Sequence, residues 1–183
     1  MLPHTPIHIR HGTYLPHWTR QGAIEEAHLE ALYSDTIEKY LHAGRGACWL
    51  QRDEIAKVVA DAFGYFHKVR YRLFAWCVMP NHIHAVMQPF DGISLPDIIH
   101  SWKSFTAKKA NTILRRKGAF WCAEYYDHLI RDDQDFRNQV RYAWRNPEKA
   151  GWKDWKWRWI NPLCFAQEDA QFLVPDRDGP ATS

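Results

Sequence analysis

Residues 79–90 read "MPNHIHAVMQPF", and within this apolar run two histidines, His82 and His84, stand one residue apart. If the run is a strand, successive side chains alternate faces, so both imidazoles share one face while Ile83 enters the layer behind. Two imidazoles so placed can meet at one metal ion; the alternative is a polar pair on a solvated sheet face. Further along, Phe136, Val140, Ala143 and Trp144 recur at helical spacing and form the apolar stripe of a helix. Tyr142 and Asn146 lie off that stripe, one turn apart on a shared face, so a phenolic hydroxyl and an amide oxygen can address one point. The alternative there is a surface tyrosine resting on a helix end. A third feature is basic: Lys103, Lys108, Lys109, Arg115, Arg116 and Lys117 fall in a helix expected from about Leu95 to Lys117, and no carboxylate occurs from Ile98 to Ala123. Such cations gain affinity for phosphates by displacing counterions, and Trp102 and Phe105 between them either pack inward or stack on bases. An ordinary solvated helix face is the competing interpretation.

These residues need a scaffold. "LFAWCVM" and "IHAVMQ" are rich in aromatic and β-branched residues and flank "PN", where Pro80 pre-sets φ for a tight connection, so a β-hairpin is expected. Ahead of it, residues 23–42 carry Ile24, Leu29, Leu32, Tyr33, Ile37, Tyr40 and Leu41 at three- and four-residue steps, an amphipathic helix ended by "AGRG". "LQRDEIAKVVADAFGYFHK" predicts another, with Val58, Val59, Ala62, Phe63 and Phe66 as its stripe. Ser94, three residues before Asp97 and followed by Pro96, is expected to start the basic helix, and Gly118 to end it. "FWCAEYYDHLI" has the make-up of a strand, after which Asp132 and Asp133 suit a helix start. That last helix is expected to stop near Asn146, because Pro147 disfavours α geometry in the residue before it. Among its tryptophans, "GWKDWKWRW" fits wrapping over the core better than stacking on DNA. His128 reads as a hydrogen-bonded structural histidine outside the site.

The chain has 183 residues with 46% hydrophobic and 15% aromatic side chains, enough for one globular domain with its own core. Residues 1–22, rich in Pro, Gly and His, read as an irregular arm with a short strand at "PIHIR", and 160–183 as a C-terminal tail. The formal net charge of +3 is too small to name a polyanionic partner, so any such role must come from local clustering. Four cysteines without a C-x-x-C pair argue against a zinc knuckle or disulfide scaffold and for reduced thiols. Neither a signal-like segment nor a run of about 18 apolar residues occurs, so a cytoplasmic protein with no membrane association is expected.

Taken together, "AWCVMPNHIHAVMQP", "SWKSFTAKKAN" and "FWCAEYYDHLIRDDQDFRNQVRYAWRNPEKAG" resemble the REP-associated tyrosine transposases, single-tyrosine relatives of the insertion-sequence transposases within the His-hydrophobe-His endonuclease superfamily. The resemblance implies an α+β fold, a ferredoxin-like split βαβ antiparallel sheet with helices packed on it. It implies His82 and His84 as metal ligands, Tyr142 as nucleophile and Asn146 as third protein ligand. The chemistry implied is cleavage of single-stranded DNA, at hairpin-forming repetitive sequences, through a 5′-phosphotyrosine and a free 3′-hydroxyl, by a monomer or homodimer. A phenol of pKa about 10 needs activation at neutral pH. A divalent ion supplies it and neutralises phosphoryl charge, and two imidazoles with one amide suit Mg2+ or Mn2+ better than a closed zinc site.

One departure stands out. Relatives follow "LPHW" with an apolar strand, whereas here "LPHWTRQGAIEEAHLEALY" passes from Ile24 into Glu25 and Glu26. The first strand is therefore expected to be lacking, or replaced by "PIHIR". A second class of function follows, a DNA-binding remnant that no longer cleaves. A zinc hydrolase using His82 and His84 is disfavoured, since no further His, Asp or Glu stands at a familiar ligand spacing.

Overall fold

A computed structural model describes residues 8–14 as backbone and residues 46–123 and 125–162 with their side chains. The helix expected over 23–42 and most of the expected tail lie outside the described residues.

Five strands form one sheet in the order β4-β1-β3-β2-β5, with β1 His8–Tyr14, β2 Tyr71–Val78, β3 His82–Pro89, β4 Tyr126–Ile130 and β5 Arg158–Ile160. The hairpin of β2 and β3 is antiparallel, pairing Cys77 with His84 and Arg72 with Gln88, and its turn is closed by the Met79 N–H donating to the His82 carbonyl at 2.8 Å. A replacement strand is present, but it is His8–Tyr14, sharing only His8–Arg10 with "PIHIR", whose Pro6 and Ile7 lie outside the described residues; β1 lies between β3 and β4 and satisfies backbone groups on both neighbours. The expected antiparallel sheet is present across β3, β2 and β5, and β1 joins it with the other polarity. β1 runs parallel to β3 and to β4, so the sheet is mixed, antiparallel only across β3, β2 and β5.

Helices α1 Asp53–Tyr65 and α2 Leu95–Ile113 cover one face, and α3 Asp133–Lys149 the other. Asp53 and Glu54 suit the positive end of α1, whose buried residues are Ile55, Ala56, Val59, Ala62 and Phe63. Val58 is only half-buried and Phe66 caps the helix, so the stripe lies about one turn earlier than its periodicity suggested. These residues pack with Ile98, Ile99 and Trp102 of α2 on Ile83, Ala85 and Met87 of β3. The buried Tyr71 hydroxyl donates to the Phe63 carbonyl at 2.8 Å and accepts from the Trp102 indole at 3.0 Å, so no polar atom there is stranded. On the opposite face a smaller cluster joins Ala75 and Val86 to Ile130, Val140 and Ala143.

Ser94 caps α2 as expected, accepting from the Asp97 N–H at 3.2 Å. The helix ends at Ile113, earlier than Lys117, because Arg115 turns left-handed at φ 51° and the Arg116 N–H returns to the Asn111 carbonyl at 3.0 Å. The following aromatic run is mostly not strand: Phe120 and Trp121 are buried in the main core, and β4 begins only at Tyr126. In α3, Asp132 accepts from the Asp135 N–H at 2.8 Å, and the helix continues through Pro147 to Lys149. Pro147 is buried in the last turn, where carbonyls are satisfied by the Ala150 and Trp152 N–H groups and Gly151 takes φ 84°. These contacts outweigh the preference of residue 146 for extended geometry.

The tryptophan-rich segment wraps the core. The Trp155 indole donates to the Val78 carbonyl at 2.6 Å and the Trp157 indole to Asp53 at 2.8 Å, while β5 adds an edge to β2. Arg158 donates to Glu148 at 2.7 Å and to the Trp144 carbonyl at 2.9 Å, holding the end of α3 against that edge.

Candidate active site

Because Ile83, Ala85 and Met87 face α1 and α2, His82 and His84 face α3 with Val86. This is neither a solvated face nor a loose one: His82 is 1% exposed, His84 4% and Asn146 0%. The two imidazole centroids lie 4.8 Å apart with planes at 86°, and the His84 ring meets Tyr142 edge-on at 5.2 Å. Asn146 follows one turn later on α3, on the same helix face as Tyr142.

The Tyr142 hydroxyl is the most informative atom. It is buried and has no hydrogen-bond partner among the described residues. A buried hydroxyl without a partner costs stability, and its persistence marks a group held for something outside the fold. Lys149 places its ammonium 4.5 Å from the Tyr142 ring centroid, a cation positioned to favour negative charge developing on the phenol.

The donor set fits a divalent ion. Ring centroids 4.8 Å apart let one nitrogen of each imidazole reach an ion at bond lengths of about 2.1 Å. His82 Nδ1 lies 2.8 Å from Asn81 Oδ1; the amide oxygen can only accept, so Nδ1 carries the proton and Nε2 presents the lone pair. Asn81 thus orients His82 as outer partners orient metal-bound histidines. Among the described residues no group of three or more His, Cys, Asp or Glu forms a metal cluster. Cys77, opposite His84 in the register, is fully buried, and that burial pushes its thiol pKa up.

The basic helix is placed differently from the rest. α2 lies on the sheet face away from Tyr142, so its cations are not beside the reacting atoms. Lys103 donates to the Cys122 and Ala123 carbonyls at 2.8 and 2.9 Å, and Arg116 stacks 4.1 Å over Trp49 while donating to Ala119, which makes both structural. Phe105, 49% exposed, stands with Lys108 and Lys109 on the outer face of the helix, whereas Trp102 is buried. Arg115 and Lys117 lie exposed beyond its end.

The positive charge nearest the site was overlooked in the sequence. Arg137, Arg141, Arg145 and Lys149 recur every four residues, forming a ridge on α3 beside Tyr142, a spacing legible without coordinates. Asn81 had no sequence signal of its own. His128 is structural as expected, 2.9 Å from Asp135, tying β4 to α3.

Residues 50–142 match the family described as "Transposase IS200 like", a span containing both histidines and Tyr142. A REP-associated tyrosine transposase of Escherichia coli K12 is 27% identical over 119 residues, covering 58% of this chain and 70% of that protein. A Haemophilus influenzae Rd protein named for the same transposase class is 30% identical over 105 residues, covering 46% of this chain and 56% of that protein. No solved structure matches the chain significantly. With half of its length matched by the family and the histidine pair facing the tyrosine, the chain belongs to the IS200-like transposases.

Proposed function

We propose that this chain is a metal-dependent transposase or endonuclease that cleaves and rejoins single-stranded DNA, at hairpin-forming repetitive sequences, through a 5′-phosphotyrosine on Tyr142. The observation that carries this is the buried Tyr142 hydroxyl beside the His84 ring, with no hydrogen-bond partner among the described residues. The printed names of the two relatives agree with it.

In the proposed reaction the Tyr142 oxygen forms a bond to phosphorus as the bond to the 3′ oxygen breaks. The phenolic proton is lost to solvent and the departing 3′ oxygen gains one, so the phosphodiester is exchanged rather than hydrolysed and no nucleotide cofactor is consumed. Attack by another 3′-hydroxyl reverses the step and rejoins strands. His82, His84 and Asn146 would hold Mg2+ or Mn2+, which when bound supplies Lewis-acid neutralisation of the phosphoryl oxygens. Lys149 favours charge on the phenol, Asn81 orients His82, and the packed sheet and α3 hold nucleophile and ligands in register.

The test is incubation of purified protein with hairpin-bearing single strands and Mn2+, followed by denaturing electrophoresis. A covalent adduct that disappears in Tyr142→Phe is expected; its absence with all substrates refutes cleavage. One observation favours a second reading. β1, parallel to the strand that carries the histidines, departs from the antiparallel sheet the family resemblance implies. Salt-sensitive DNA binding without an adduct would establish a remnant that binds and no longer cleaves.

A further inference from the structure

Away from the histidines, a cavity of about 590 Å3 opens between the segment leading into β2, the end of β3 and the start of α3. Its walls are Phe74, Phe90 and Phe136, with Lys68, Arg72 and His67 at its rim, and no carboxylate lines it among the described residues. We propose that this cavity holds one unpaired nucleotide of a single DNA strand, its base against the phenylalanine rings and its phosphate on Lys68 and Arg72. The inference rests on the single-strand substrate proposed above.

Four observations carry it. The size matches small-ligand sites, which run from about 300 to 1,000 Å3. The lining combines the two elements of sequence-tolerant single-strand binding, aromatic faces for bases and cations for the backbone. Phe74 sits where the β2–β3 register shifts, between Leu73 and Ala75, and this irregularity brings its ring 4.9 Å from Phe136 on α3. Lys68 adopts φ 67°, unfavourable for a side chain with a Cβ, and is held there by its N–H donating to the Tyr71 carbonyl at 2.7 Å.

The electrostatics agree. Burial lowers the His67 pKa first, and the charges of Lys68 and Arg72 lower it further; it is these two cations that favour an anion at the rim. His67 Nδ1 accepts the Leu73 N–H at 3.0 Å, which leaves Nε2 as a donor.

The cavity also has a sensible place. Arg72 pairs with Gln88, four residues along β3 from His84 and on the same sheet face. That is about 13 Å at strand spacing, no more than about four nucleotides at 3.4 Å per stacked base and fewer for a stretched strand. The small cluster of Ala75, Val86 and Val140 separates the two positions, so the cavity is a distinct subsite.

The test uses the full chain and a hairpin substrate carrying 5-iododeoxyuridine at one position at a time. Photo-crosslinking should map one position near the cleaved phosphate to peptides containing Phe74, Phe90 or Phe136. An abasic residue at that position should weaken wild-type binding roughly five- to hundredfold, the range of one base–aromatic stack, and should have little effect in Arg72→Gln combined with Phe90→Ala. Crosslinks confined to other peptides, with binding and adduct intact, overturn the subsite and leave the single-strand reading standing. Protection of the cavity by deoxynucleoside monophosphate without any oligonucleotide crosslink also overturns it, revealing a free-nucleotide site. Failure of wild-type protein both to bind single strands and to form the adduct overturns the functional reading and the subsite together. The wild-type crosslink needs no variant to fold.

Discussion

Replacing Tyr142 with phenylalanine deletes one oxygen and nothing else, and this structure makes an unusual demand of that change. The hydroxyl is buried without a partner among the described residues, so it has lost its bonds to water and none of the described groups replaces them. A polar group left in that state costs roughly 1–3 kcal/mol. Tyr142→Phe should therefore be more stable than the wild type, even as it loses all adduct formation. For a chain of 183 residues, each kcal/mol moves the melting temperature by about 2–4 °C, so a rise of at least about 2 °C is expected in metal-free buffer. The assay is thermal unfolding followed by circular dichroism, with chelator and then with Mn2+. Because the proposed ligands remain, the variant should keep its upward shift on adding Mn2+, about 2.7 kcal/mol when the ion stands at a hundred times its dissociation constant. His84→Ala should lose that shift. A Tyr142→Phe protein that melts at or below the wild type would refute the reasoning, since the hydroxyl would then have a partner that stabilises the fold.

Asn81→Ala removes the acceptor that fixes the His82 ring; Mn2+ affinity, read by titration calorimetry, should fall roughly 10- to 100-fold, while adduct formation recovers at saturating Mn2+. Burial raises the Asp135 carboxyl, but the His128 hydrogen bond and charge, with the Arg131 N–H and the Gln139 amide, outweigh it and hold the pKa below the usual value. Its folded pKa being lowered, Asp135 contributes stability that is present above about pH 3.9 and lost as pH falls through the folded value. The stability gap between wild type and Asp135→Asn, measured by denaturant unfolding, should hold above that pH and close below it. Neutralising Lys108 and Lys109 should reduce the slope of log affinity against log salt by roughly 0.7 per lost contact with single-stranded DNA. The adduct rate at saturating DNA should be unchanged, since α2 lies on the far face; a slower rate would place those lysines at the reacting phosphate.

Much of this protein was legible from local pattern. The 2-residue period of "NHIHAVM" put both imidazoles on one face, the 3.6-residue period put Tyr142 and Asn146 one turn apart, and the caps at Ser94 and Asp132 marked helix starts, because each of these is set by neighbours within a few positions. Local pattern failed where distant residues compete. Periodicity carried the basic helix to Lys117, but the bonds to Asn111 and the packing of Arg116 on Trp49 ended it at Ile113. The rule for residues before proline stopped α3 at Asn146, but burial of Pro147 and the Arg158–Glu148 pair carried it to Lys149, bringing the ammonium over Tyr142. Composition marked α2 as cationic without saying that it sits behind the sheet.

The sequence by itself thus determined which residues share a face, since strand and helix periods are properties of the backbone. Only the tertiary structure decided which faces meet: that α3, and not the basic helix, closes over His82 and His84, that Asn81 orients one of them, and that a strand from the N-terminal arm enters the sheet parallel to its neighbours. Those outcomes depend on the packing of segments far apart in the chain, where burial and hydrogen-bond satisfaction override local preference.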